Sequence, residues 1–486
     1  MGGGPGPMGV GVGATLVRHV AIYGVSTVLV QSVALVTAPV FTRHFGPARY
    51  GVLDVTGATV ALALTVALAG MDGAVARAYV GASSEDERRT VVSTGLAAVV
   101  AGGTLLALAA VVLAEPVSGL LFGARAHGDL VMAAAVGVPV TAAAGYTRRL
   151  LRLQSRPGLF LVAAVILAFV GAAGAVVLAV PAGLGLPGVF LGIALGGAVG
   201  LAVGVVANRH LLGWRFSTRT LVEMAAVGLP LTLFAISTWA IRMLDRFILV
   251  RAVDLEDLGH YAAANRVSGL LLLAMLAFEG AWLPLLLRTA GTGDEQVAAA
   301  RDRALSWFAA VMAVMGVGLA AFSPEILAVF AGDRFTAAAG VVPPLVLAML
   351  FHATTPVTTS ALIVARRTGG LAYGALGAVA VNVALCLLLV PRWGITGAAW
   401  ATVAAFAVQA ENARRRAARL GSLGAGERRA QARAGLALAL AVPFLGLGYI
   451  DLARGPVEAA VKAAGVGGLA VLLVVTGVVS LGRGRR

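Results

Sequence analysis

Charged residues are scarce in this chain of 486 residues: they make up 12% of it, against about 25% in a soluble globular protein. Hydrophobic residues make up 59% of the chain, and the mean hydropathy is +0.94. Soluble domains do not have enough interior to hold that much apolar side chain. The composition therefore excludes a set of soluble domains and predicts an all-α polytopic membrane protein.

Cysteine and lysine are almost absent. Cys386 is the only cysteine, which excludes an internal disulfide, and Lys462 is the only lysine. The net charge is +15, but the cations lie in short clusters between apolar runs, as in cytoplasmic loops of membrane proteins, which excludes nucleic acid as the partner. The sequence has no Walker motif, no Ser/His/Asp arrangement and no metal-ligand cluster, so we expect no enzyme activity, cofactor or metal.

Apolar runs long enough to cross a bilayer recur along the whole chain. A spanning helix needs ~20 mostly apolar residues, and fourteen candidates are found, as two six-helix pseudo-repeats plus two C-terminal helices. The predicted divisions are a flexible N-terminal tail (1–19), an N-terminal six-helix bundle (20–207), a cytoplasmic linker (208–223), a C-terminal six-helix bundle (224–410), a basic cytoplasmic loop (411–435), and two further helices with a basic tail (436–486).

The distribution of cations between the loops predicts the orientation. With the N-terminus inside, 26 Lys and Arg residues fall in inner segments, 10 in outer segments and one within a span. Positively charged loops stay on the cytoplasmic side. The pattern predicts a plasma-membrane protein with both termini in the cytoplasm.

The first six spans resemble the next six at a nearly constant offset. Tyr50-x3-Asp54 and Tyr261-x3-Asn265 are 211 residues apart, and Val180-Pro181 and Val390-Pro391 are 210 apart. Because each half has an even number of spans, both halves run in the same direction. Transporters built from such repeats bind their substrate between the halves.

Several local sequences, in this order, resemble one transporter family. They are His44–Gly51, Gly228–Pro230, Asp245-Arg246, Gly259–Tyr261 and Val390–Thr402. Over residues 15–411 the chain resembles the polysaccharide flippases of the multidrug/oligosaccharidyl-lipid/polysaccharide exporter superfamily. The resemblance implies a flippase that moves polyprenyl-diphosphate-linked oligosaccharide from the inner to the outer leaflet for cell-surface polysaccharide biosynthesis. It also implies lipid-linked glycan and membrane lipids as partners, together with a polysaccharide polymerase and glycosyltransferases.

Charged residues within the spans are the candidates for the substrate site, because a charge there costs ~2.5–3.5 kcal/mol on insertion scales. Arg266 is expected ~7–8 Å from the outer end of the eighth span, where its planar fork of donors suits a diphosphate. Arg242, Asp245 and Arg246 are spaced to share one helix face. The alternative interpretations are a snorkelling arginine and a structural ion-pair cluster.

Two further residues are candidates for energy coupling and gating. Glu279 lies deep in the eighth span, where a carboxyl could exchange a proton or bind Na⁺; the alternative is an interhelical hydrogen bond. Pro356 interrupts a hydroxyl-rich tenth span and is the candidate gating residue, the alternative being a plain proline kink. Asp54, Asp72 and Arg77 are expected to be anchors at the membrane interface.

Three other functions remain open from the sequence. A drug/cation antiporter of the same superfamily would need carboxylates in its cavity, whereas the second half carries more arginines than acids near the predicted site. A peptidoglycan-precursor flippase is the second alternative. A non-transporting scaffold for polymer assembly is the third, and it would tolerate loss of the buried charges.

Overall fold

The computed structural model describes residues 8–289, 295–364, 369–419, 425–449, 456–476 and 478–479. This described part is almost entirely helical and contains no strand, which confirms the predicted all-α class. The α-helices are α1 (Met8–Leu68), α2 (Met71–Gly81), α3 (Glu85–Val112), α4 (Ala114–Phe122), α5 (Gly128–Leu153), α6 (Pro157–Ala179), α7 (Gly185–Ala207), α8 (Thr218–Met243), α9 (Asp245–Ala252), α10 (Leu255–Ser268), α11 (Leu270–Thr289), α12 (Glu295–Ala321), α13 (Ser323–Phe330), α14 (Val342–Val364), α15 (Gly369–Arg419), α16 (Ala425–Leu445) and α17 (Pro456–Val475). Short 3-10 segments occupy Arg125–His127, Asp333–Val341 and Gly446–Tyr449.

Twelve helical segments of the described chain are long and apolar enough to cross a membrane. Two of them, Gly24–Gly81 and Gly374–Arg416, have 58 and 43 residues, about two to three times the ~20 residues that a single crossing needs. Each contains a non-helical glycine, Gly46 with φ 70° and Gly394 with φ 53°. Gly46 falls within the predicted turn after the first span (40–50), and Gly394 is the residue at which the twelfth span is predicted to begin. The count of fourteen spans itself stays a prediction.

Two helices begin earlier than the apolar pattern predicts. Helix α1 begins at Met8, inside the segment predicted to be a flexible tail; residues from Val10 onward are mostly apolar, and in lipid a helix satisfies its own backbone groups. Helix α10 begins at Leu255 because the Asp254 side chain accepts a hydrogen bond from the backbone N–H of Asp257 at 2.8 Å. This cap lies several residues before the predicted eighth span.

By its contacts the chain divides into two compact units: Met1–Phe45 with Val52–Arg251, and Gly46–Gly51 with Ala252–Arg486. Helix α8, which corresponds to the seventh predicted span, belongs to the first unit. The predicted bundles instead divide at residues 208–223. The contact boundary does not test the sequence repeat, and the six-plus-six arrangement stays a prediction.

Small residues bring helices α6 and α7 of the first unit into backbone contact. A Cβ atom added to Gly188 would lie 2.6 Å from the carbonyl of Leu178, and one added to Gly196 would lie 2.5 Å from the Cα of Gly171. Membrane helices associate through such stripes because lipid supplies no hydrophobic drive between them. Any larger residue at Gly188 or Gly196 would force the two helices apart.

Candidate functional site

Arg246 lies in a buried ion cluster of the first unit. Its Nε donates to Oδ2 of Asp54 at 2.6 Å, and its Nη1 donates to Oδ1 of Asp245 and to the carbonyl of Arg242, at 3.0 and 2.8 Å. The side chains of Arg246 and Asp245 are 6% and 3% exposed, and that of Asp54 is 17% exposed. The cluster therefore holds one guanidinium between two carboxylates, and Asp54, expected only to anchor its helix at the interface, is a member of it.

Two more contacts join α8, the helix just before α9 of the ion cluster, to the second half of α1 and the turn after it. The indole Nε1 of Trp239 in α8 donates to the carbonyl of Ala58 in α1 at 3.1 Å. Further along both helices Gly228 meets Ala69 and Gly70, where an added Cβ on Gly228 would lie 2.5 Å from the Ala69 carbonyl. The indole and the glycines hold α8 against the second half of α1 and the turn after it, and the ion cluster holds the adjoining α9 against α1.

Arg242 differs from its two neighbours in exposure. Its side chain is exposed, whereas Asp245 and Arg246 are buried, so the three side chains predicted to share one helix face differ in exposure. The reason is that the Arg246 side chain turns inward. There it pairs with Asp54 and donates a hydrogen bond to the backbone carbonyl of Arg242. Of the three, Arg242 is the one whose guanidinium remains accessible to an anion.

Arg266 lies further from the start of its helix than the sequence predicts. It is eleven residues after Leu255, where α10 begins, so at ~1.5 Å per residue it is ~16 Å from that end, not ~7–8 Å. Its side chain is half-buried. The first turns of α10 are polar, so this distance along the helix is not a depth in the membrane, and the substrate role of Arg266 stays a prediction.

The helix that carries Arg266 is interrupted before it reaches Glu279. Helix α10 ends at Ser268 and α11 begins at Leu270, so the two residues are on separate helices rather than one straight helix. Glu279 is half-buried. Pro356 lies within α14, but its side chain falls outside the described residues, so its gating role stays a prediction.

Two polar groups of the second unit escaped sequence reasoning. The side-chain amide nitrogen of Asn265, next to Arg266, is buried and has no hydrogen-bond partner among the described residues. Lys462 is fully buried and its Nζ lies 2.9 Å from Glu325 and 2.5 Å from Glu458. The sequence identified Asn265 only as a member of the repeat and not as a polar group of the site; the Lys462 cluster joins residues 137 apart, and one sequence gives no signal for it. The described residues contain no group of side chains suited to hold a metal ion.

The profile of a protein family described as "Polysaccharide biosynthesis protein" matches residues 16–290, more than half of the chain. The chain belongs to this family. The matched region contains Arg242, Asp245, Arg246, Arg266 and Glu279 but not Pro356. No curated protein sequence matches the chain significantly.

This member of the polysaccharide biosynthesis family shares its fold with solved structures of transporters. It is similar to the lipid II flippase MurJ in an inward closed conformation, with a TM-score of 0.72 and 13% identity over 92% of this chain and 97% of that one. It is also similar to the eukaryotic MATE transporter AtDTX14, with a TM-score of 0.60 and 15% identity over 87% and 99% of the two chains. A Vibrio cholerae MATE transporter is similar with a TM-score of 0.59 and 15% identity over 86% of this chain and 99% of that one. The family and the fold are those of multi-pass membrane transporters and flippases.

Proposed function

We propose that this protein flips a polyprenyl-diphosphate-linked oligosaccharide from the inner to the outer leaflet of the plasma membrane, for the synthesis of cell-surface polysaccharide. The family supports the pathway. The observation that supports a diphosphate-containing substrate is Arg266. This cation lies ~16 Å along its helix, inside the region that matches the family.

The chemistry of the substrate explains why a cation would be placed there. A diphosphate that leaves water without a partner has a prohibitive desolvation cost. A guanidinium lowers it with two parallel charge-assisted hydrogen bonds. The accessible Arg242 is the second candidate contact, whereas Arg246 and Asp245 act on the substrate only through the helix that they hold in place.

Transport assays with purified protein in vesicles test the role of Arg266. Arg266→Ala should reduce flipping of a fluorescent polyprenyl-diphosphate sugar at least ~10-fold, the value of one lost charge-assisted hydrogen bond. Arg266→Lys keeps the charge but loses the fork, so a smaller loss is expected. Arg392→Ala, at an exposed arginine of the same unit, is the matched control. Equal activity of all three variants would remove Arg266 from the site.

Loss of the gene tests the pathway. A deletion strain should accumulate lipid-linked repeat units on the inner leaflet and lose surface polymer, and genes for a polymerase and glycosyltransferases should lie nearby. If surface glycan stays intact while cells become sensitive to cationic dyes, the antiporter function replaces the one proposed. If surface glycan and dye resistance both stay normal in a strain whose protein has every buried charge replaced, the scaffold function replaces the one proposed.

A flippase for a peptidoglycan precursor is the second candidate, and the fold shared with MurJ favours it. The two flippases differ in the attached sugar rather than in the diphosphate. Competition in the vesicle assay separates them: the proposed substrate should be displaced by polyprenyl-diphosphate repeat units and not by lipid II.

The proposed coupling residue is Glu279, which would exchange a proton during the cycle. Glu279→Gln should abolish the pH dependence of flipping and leave the folded protein intact. A normal pH profile of this variant in vesicles would make the carboxyl structural.

The proposed orientation places both termini in the cytoplasm, as the 26-to-10 distribution of cations predicts. Cys386 is fully buried, and a Cys386→Ser background removes it altogether. In that background a cysteine at Gly424 should resist an impermeant reagent added to intact cells. Labelling from outside would refute the orientation.

A further inference from the structure

Four arginines crowd the C-terminal end of helix α5 and the turn that follows: Arg148, Arg149, Arg152 and Arg156. Segments 72–89, 148–156 and 209–223, which include this end of the first unit, contain ten arginines and five carboxylates. The pKa of His210, in the connection after α7, lies below its ordinary value because of partial burial and then the charge of Arg156. This end of the unit therefore has an excess of positive charge.

The carboxylates at this end are already engaged elsewhere. Asp72 pairs with Arg149 at 3.2 Å, Asp86 with Arg215 at 2.9 Å, and Glu223 with Arg219 at 3.0 Å. Glu85 lies 3.8 Å from Arg89, and Glu87 accepts from Ser83 at 2.8 Å. These pairs leave Arg148 without an anion.

Arg148 makes no hydrogen bond or ion pair within the described part of the chain, and its Nε is buried. Its guanidinium lies over the ring of Phe160 in α6, 5.5 Å from the ring centroid, and the guanidinium of Arg152 lies 4.9 Å from the same centroid. Phe160 is itself 4% exposed. One buried ring thus holds two guanidinium groups side by side, and that of Arg148 has no anion in the described chain, which is unfavourable for a charge whose Nε is buried.

The depth of this pair indicates the kind of anion. Helix α5 has 26 residues and is ~39 Å long, more than the ~30 Å of the hydrocarbon core. Arg148 is five residues from its end, ~7–8 Å along the axis. That places the guanidinium where lipid headgroups begin.

We propose that Arg148 and Arg152, held on the ring of Phe160, bind the phosphate group of a membrane lipid at this end of the first unit. In the proposed orientation this is the cytoplasmic leaflet. The phosphate has two sources, an anionic phospholipid or the diphosphate of a polyprenyl lipid. The site does not require the proposed flipping activity.

Equilibrium binding to the purified full chain in detergent tests the site. Native mass spectrometry would measure the dissociation constants of geranylgeranyl diphosphate and of phosphatidylglycerol for the unchanged protein and for Arg148→Gln. We expect at least ~10-fold weaker binding in the variant, since each charge-assisted hydrogen bond is worth roughly that factor. A loss for the diphosphate alone identifies the polyprenyl lipid as the ligand, and a loss for both identifies a general headgroup site.

Arg77→Gln is the matched control, because Arg77 is an exposed arginine of the same region and the change removes the same charge. It should alter either constant less than ~2-fold. Unchanged binding in Arg148→Gln, or equal losses in the two variants, would overturn the proposal. If Arg148→Gln does not purify folded, Arg148→Lys repeats the test: it keeps the charge, loses the fork, and should bind phosphate more weakly than the unchanged protein. Since no transport is measured, failure of the flippase assay leaves this result intact.

Discussion

Arg246 and Arg148 are both arginines of membrane helices in the first unit, and they differ in what surrounds the guanidinium. Arg246 donates to two carboxylates and a backbone carbonyl. Arg148 contacts an aromatic ring and, in the described chain, no acid. The partners of a charged side chain, rather than its position along the helix, therefore separate a structural ion pair from a candidate binding group.

Arg246→Ala removes the arginine that is paired with two carboxylates, and it should have the largest effect on stability. Removal of the cation leaves Asp54 and Asp245 buried and uncompensated, which typically costs ~3–5 kcal/mol. Unfolding of the purified protein by denaturing detergent measures the change. A loss below ~1 kcal/mol would show that the cluster does not hold α9 to α1.

Lys462→Met tests whether the second unit contains a connection of the same kind. Glu458, 5% exposed, would lose its cation, but Glu325 is 47% exposed and can turn to water. We therefore expect a loss of ~3 kcal/mol, at the lower end of the range for a broken buried pair. Glu325→Gln, which removes only the exposed partner, should cost less; the reverse order would contradict this account.

Arg149→Gln provides the exposed counterpart. Its ion pair with Asp72 joins side chains that are 37% and 43% exposed, and such pairs contribute ~0–1 kcal/mol. The same detergent titration should find a loss in that range, reduced further by added salt. A loss comparable to that of Arg246→Ala would mean that exposure does not separate the two classes.

Arg148→Met should have the smallest effect and separates the two arginines most clearly. An apolar residue in place of a buried charge without an anion is often neutral or stabilising, while the contact with Phe160 is worth ~0.5–2 kcal/mol. These effects oppose each other, so we expect a change within ~1 kcal/mol in lipid-free micelles. Destabilisation by ~3 kcal/mol or more would show that Arg148 has a structural partner.

Much of the fold could be predicted from the sequence because lipid imposes a simple rule on it. Apolar length predicts spanning helices, and the turns around Gly46 and Gly394 were visible as glycines between apolar runs. The start of α10 was missed because its first two turns are polar, and an apolar count does not register them. The cap at Asp254 followed by acidic residues is a sequence signal that could have found it.

The candidate site was less predictable because it depends on pairs distant in the chain. The periodicity identified Arg242, Asp245 and Arg246 as neighbours, but Asp54, which is 192 residues from Arg246, determines which of them is accessible. A single sequence carries no signal for such a pairing. The distance of Arg266 from the start of its helix was mispredicted because the polar first turns of α10 were missed.

The separation of Asp54 and Arg246 also matters while the protein is being made. A ribosome adds ~5–20 residues per second, so the 192 residues between them require ~10–40 s. During that interval the Asp54 carboxylate has entered the membrane and its cation has not yet been synthesised. The early helices therefore wait for α9 before their charge is neutralised, and a nascent chain interrupted in that interval is the form that an insertion chaperone or a membrane protease would meet.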